Sequence, residues 1–187
     1  MESASDTVEG MTVDFSWPQF LWIVFIFVGV PSAFCALLLW RKSSKSEKGM
    51  GAGRLGLWAT GATAFVFGFV SCAGWLSWSA DQRGQFRGPG LPAPREFPTW
   101  QVVACGATVV LLCLWAARLS RWTETGRYTA ALGTTAGFST AFCIEASTDA
   151  TGQSGVGVVL CMVGWGLALS VIMMAWNTFS KRSTVQR

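Results

Sequence analysis

Two carboxylates, Glu145 and Asp149, are the groups best placed by type and spacing to do chemistry in this chain. Glu145 is the one charged residue inside five long apolar stretches. An acid within a membrane segment is costly and often marks a proton or cation site. Glu145 stands about two residues from the end of its stretch, where that cost is smaller. Asp149 follows four residues later, on the same helical face. Both fall at the partially negative C-terminal end of a helix, which disfavours two acids unless a cation answers them. Arg83, Arg87 and Arg95 lie in the loop predicted for the same side. The first expectation is an ion pair between Glu145 and one of these arginines, tying that loop to the bundle. The alternative is a carboxylate that binds protons or cations at an outer mouth.

Other chemistry is excluded by residue type. The chain has no histidine, which removes His-ligated haem, His–metal sites and Ser/His or Cys/His catalysis. Gly51-Ala52-Gly53-Arg54-Leu55-Gly56 spells GxGxxG. The dinucleotide fold needs a strand before that motif, and here a Lys/Ser segment precedes it. The segment reads as a flexible inner loop. The six cysteines, Cys35, Cys72, Cys105, Cys113, Cys143 and Cys161, lie inside apolar stretches and form no CxxC pair. They read as small apolar residues. Cys72, Cys105, Cys143 and Cys161 fall in the predicted outer half, where an oxidising exterior would permit a disulfide between two of them. No cofactor, metal or catalytic set is expected. Nucleic-acid binding is not expected either, because the basic residues are split among short segments.

The elements that position these groups follow from composition. Of 187 residues, 13% are charged and 51% apolar. A soluble domain carries about twice that charge, and it would need it on the outer face of every element. The expected fold class is an all-α integral membrane protein: a compact bundle of five transmembrane helices. Crossing about 30 Å of hydrocarbon takes about 20 apolar residues. The spans read as 18–40, 55–79, 99–117, 128–147 and 155–177. An acidic tail, 1–17, precedes them and a basic tail, 178–187, follows.

Arginine and lysine orient the bundle. With the N-terminus outside and the C-terminus inside, eleven basic residues lie inside and three outside. The inner set is Arg41, Lys42, Lys45, Lys48, Arg54, Arg118, Arg121, Arg127, Lys181, Arg182 and Arg187. The fourth span is the most polar, with Thr129, Thr134, Thr135, Ser139, Thr140 and Glu145. A re-entrant or interfacial 128–147 would put the basic C-terminal tail outside, against the charge rule. Ten of the 11 tryptophans fall at predicted span ends, the level an indole prefers, and only Trp165 sits mid-span.

Helices in lipid associate through small residues. The fourth span carries Gly133, Gly137 and Ala141 at i, i+4 spacing, and the second carries Gly61, Ala64 and Gly68 on one face. The fourth helix is therefore expected near the middle of the bundle, its hydroxyls turned inward. Pro31 interrupts the first span, removing one backbone bond and crowding the carbonyl of Phe27, so a helix kink is expected there. The outer loop 80–98 holds Pro89, Pro92, Pro94 and Pro98 and is expected to be extended rather than folded.

Three function classes remain: a non-enzymatic subunit or accessory protein of a larger membrane assembly, a small ion or solute transporter or channel using Glu145, and a membrane enzyme. The first is preferred. Short loops, small-residue faces and the absence of any nucleophile–base pair favour it. The expected partners are the lipid bilayer and another membrane protein or a second copy. Abundant Ala and Gly, no His and short loops suit a bacterial plasma membrane.

Overall fold

The computed structural model describes residues 17–45, 53–80, 86–87, 97–122 and 124–185. They build five helical rods. The first rod is composite: α1 (Trp17–Ile23), a π-helical turn (Val24–Gly29) and α2 (Val30–Lys45). The others are α3 (Leu57–Leu76), α4 (Thr99–Leu119), α5 (Glu124–Ala146) and α6 (Ser154–Val185). Beyond the helices, β1 (Ser79–Ala80) pairs antiparallel with β2 (Phe86–Arg87), Ser79 opposite Arg87 and Ala80 opposite Phe86. The loop after α3 thus begins as a short hairpin, where sequence predicted an unfolded stretch. Its proline-rich part, 88–96, lies outside the described residues.

Four rods are long and apolar enough to cross a membrane: Trp17–Arg41, Leu57–Leu76, Thr99–Leu119 and Gly155–Thr178. α5, at 23 residues, is about 34 Å long but too polar to rank with them. It compensates by position. α5 is unbroken and packs against all the other rods. From Thr134 through Ser139 every residue is buried. Its hydroxyls are partly satisfied by its own backbone: Thr129 donates to the Thr125 carbonyl (2.9 Å) and Thr140 to the Ala136 carbonyl (2.8 Å). Such i−4 bonds let a hydroxyl sit in a helix without asking for water.

The tightest contact joins α3 and α5, which are not consecutive. A Cβ placed on Gly68 would overlap the Thr134 carbonyl. One on Gly133 would overlap the Gly61 carbonyl, and one on Gly137 the Phe65 carbonyl. The two backbones touch. Each glycine therefore points a Cα–H at a carbonyl across the seam, the geometry of a weak hydrogen bond. Ala64 fills the space between, fully buried. On its other side α5 meets α6, where Phe138 packs on Trp165 with ring centroids 5.4 Å apart.

Pro31 leaves its mark just upstream of itself. The ladder widens between Val24 and Gly29, and the Val30 N–H donates to the Phe25 carbonyl, five residues back. A π-helical turn relieves the crowding that a proline ring imposes on the preceding carbonyls. Several helices also overrun their predicted ends. α2 continues to Lys45 and α6 to Val185, because Lys, Arg and Ser without an intervening Pro or Gly sustain a helix. Basic residues in a last turn also suit the helix dipole. α5 starts at Glu124, so Arg127 is helical rather than in a loop.

Candidate functional site

The charged residues singled out in sequence fall mostly outside the described residues. Asp149, Arg83 and Arg95 lie outside the described residues. Glu145 belongs to α5 and Arg87 to β2 by backbone, and their side chains also lie outside the described set.

The residues of the α3–α5 seam lie together. Gly61 and Gly68 of α3 face Gly133 and Gly137 of α5, and Ala141 is buried further along α5. The hydroxyls of α5 turn inward, beside cysteines. Thr134 lies against the Cys113 thiol and Ser139 against the Cys161 thiol. The Thr135 hydroxyl has no hydrogen-bonded partner among the described residues. None of the six cysteines is joined in a disulfide, so the one considered from sequence is not formed. Among the described residues no group of His, Cys, Asp and Glu could hold a metal ion.

The two ends of the bundle are built differently. At one end Gln101, fully buried, closes α3. Its amide donates to the carbonyls of Trp75 (2.5 Å) and Trp78 (2.6 Å). Helix C-termini leave such carbonyls without intrahelical donors. Trp75, Trp78 and Trp100 pack around it, their centroids 6.2–6.4 Å apart, and Trp75 donates to the Thr108 hydroxyl (3.1 Å). Sequence reasoning passed over Gln101. Its one signal was a lone amide in the first turn of an apolar helix.

The opposite end is cationic. Arg118 and Arg127 both stack on Trp176, at 5.3 and 4.9 Å from its ring, and Arg127 donates to the Asn177 side chain. Three helices are joined there through one indole. Arg127 is partly buried, and a guanidinium stays protonated in a protein. The GxGxxG segment serves the same end. Leu55 N–H donates to the Leu119 carbonyl (3.0 Å), and Arg121 N–H donates to the Leu55 carbonyl (2.8 Å). A Cβ on Gly53 would overlap the Ser120 carbonyl, so glycine is what permits this docking. Residues 53–56 are a fastened strap, not the free loop that sequence predicted. Gly51 and Ala52 lie outside the described residues. Alternation along the bridged backbone puts Arg54 and Arg121 on the face opposite Leu55 and Ser120, and both are exposed.

Beside this end runs an open concavity. α2 packs on α5 and stands off from α3, leaving a lateral groove of about 790 Å³. Ser32, Ala33 and Trp40 belong to one wall, Trp58 and Ala62 to the other, and Gly133 to the floor. The lining is almost wholly apolar. Ser32 is an exception, its hydroxyl buried and without a hydrogen-bonded partner among the described residues. Such a groove can hold alkyl chains; beside its two hydroxyls, Ser32 and Thr129, the lining residues include no acid or base. No family model matches the chain, and neither a curated protein nor a solved structure is significantly similar to it.

Proposed function

We propose that the chain is a five-pass protein of the plasma membrane, N-terminus outside and C-terminus inside, acting as a non-enzymatic subunit of a larger membrane assembly. Charge asymmetry supports the orientation. α5 is long enough to cross and is sheathed by four apolar rods, so its low hydropathy is no obstacle to a fifth pass.

The observation that carries the subunit reading is the first rod. Among its described residues only Val28 is buried. Phe34 and Leu38, one turn apart on α2, are 62% and 49% exposed. A helix so lightly held by its own bundle, and widened by a π-helical turn, has packing surface left for another membrane helix. The polar helix, by contrast, is committed to internal packing through Gly133 and Gly137, which weighs against a conducting path along it.

The test is capture of C-terminally tagged protein in mild detergent, with mass spectrometry of the eluate. A stoichiometric membrane partner is expected, lost in the Phe34→Ala, Leu38→Ala double variant. Elution alone, or a partner indifferent to that variant, refutes the reading.

A further inference from the structure

We propose that the α2–α3 groove binds one anionic phospholipid of the inner leaflet, its tails in the groove and its phosphate on Arg41 and Arg54. This rests on the chain spanning a membrane in the orientation proposed above, and not on the subunit reading.

Length identifies the occupant. Along α2 the groove extends from Ser32 to Trp40, and along α3 from Leu57 to Val66. At helical rise those walls are about 12 and 14 Å long. Half of a hydrocarbon core is about 15 Å. The groove therefore covers one leaflet. A partner helix needs the full thickness, whereas the tails of one lipid need only half. Chemistry along the groove agrees. Its deep part is lined by Ala33, Ala62 and Ala136, with no charged group. Its shallow end is flanked by Trp40 and Trp58, and indoles favour the headgroup level.

Charge identifies the headgroup. Arg41 follows Trp40 directly, and Arg54 precedes Leu57 by three residues; both are exposed. The strap bonded to Leu119 and Arg121 fixes the backbone next to Arg54, three residues ahead of Leu57 on the groove wall. Two guanidinia above an apolar slot match a phosphate above two acyl chains. A zwitterionic lipid carries its own ammonium to that place and gains less.

Native mass spectrometry of the full chain, released from detergent with equal phosphatidylglycerol and phosphatidylcholine, tests this. One retained phosphatidylglycerol per chain is expected. Each of Arg41→Gln and Arg54→Gln should lower the preference for phosphatidylglycerol about fivefold, a basic residue at an anionic headgroup being worth about that factor. Ala62→Phe, or Ala33→Phe on the facing wall, should lower retention of both lipids while the melting temperature holds. Equal retention of the two lipids, indifference to the arginine variants, or full retention in both phenylalanine variants overturns the proposal. So does a polypeptide released by Ala62→Phe in place of lipid. Lipid retention is read on the isolated chain and partner capture on a complex, so either reading can fail without the other.

Discussion

Gly137→Ala tests the central seam with one methyl group. The added Cβ would overlap the Phe65 carbonyl, and the next nearest atoms are also Phe65 backbone. No rotamer change can clear them. A carbon–oxygen contact relaxes at about 3.3–3.6 Å, so α3 and α5 must part by on the order of 1 Å. Overpacking of this kind costs about 1–3 kcal/mol. Parting the helices also forfeits weak Cα–H···O contacts of about 0.5–1 kcal/mol each. Alanine's better helix propensity returns up to about 1 kcal/mol. The net expectation is a loss of about 2–3 kcal/mol, or about 5–10 °C for a chain of this size. The assay is thermal unfolding in detergent with a thiol-reactive fluorophore, since Cys105, Cys113 and Cys143 are free and buried. Gly74→Ala is the control, because nothing lies within 4 Å of a Cβ there. If Gly137→Ala melts at or above the wild type, the backbone contact is refuted.

Gln101→Leu strands the Trp75 and Trp78 carbonyls at the end of α3. Buried unsatisfied groups cost about 1–3 kcal/mol, so the same melt should fall by several degrees; an unchanged midpoint would show the carbonyls find other donors. Denaturing alkylation without reductant should add six labels, one per free cysteine. A pair of thiols that reacts only after reduction would overturn the free-thiol state.

The periodic parts of the fold are legible in the sequence. Apolar length marks α3, α4 and α6 because hydrocarbon thickness leaves little choice. Gly133 and Gly137, four apart, together with Gly61 and Gly68, seven apart, define faces, since a helix repeats on those intervals. What periodicity does not encode is pairing. Nothing in the order of the helices says that α3 meets α5 rather than α4 along its closest edge. Gly53 was equally opaque: a glycine chosen to let one backbone approach another looks, in sequence, like a glycine in a free loop. Pro31 announced a disturbance but not its form, because kinking and widening both relieve the same carbonyl clash. Gln101 is a single residue, and a helix-end carbonyl that needs a donor leaves no sequence trace of its own. Of the candidate site, the basic residues were visible, but the groove beside them depends on α2 standing off from α3.

Because α3 and α5 are separated by α4, the closest interface in the molecule cannot form in the order the chain is made. Some 70 residues separate the end of α3 at Leu76 from the end of α5 at Ala146. At ordinary synthesis rates that is about 4–14 s. For that interval the Gly61–Gly68 face is open to any helix with small residues of its own. A chain that ended after α4 would lack Gly133 and Gly137, and that face would have no partner backbone to meet.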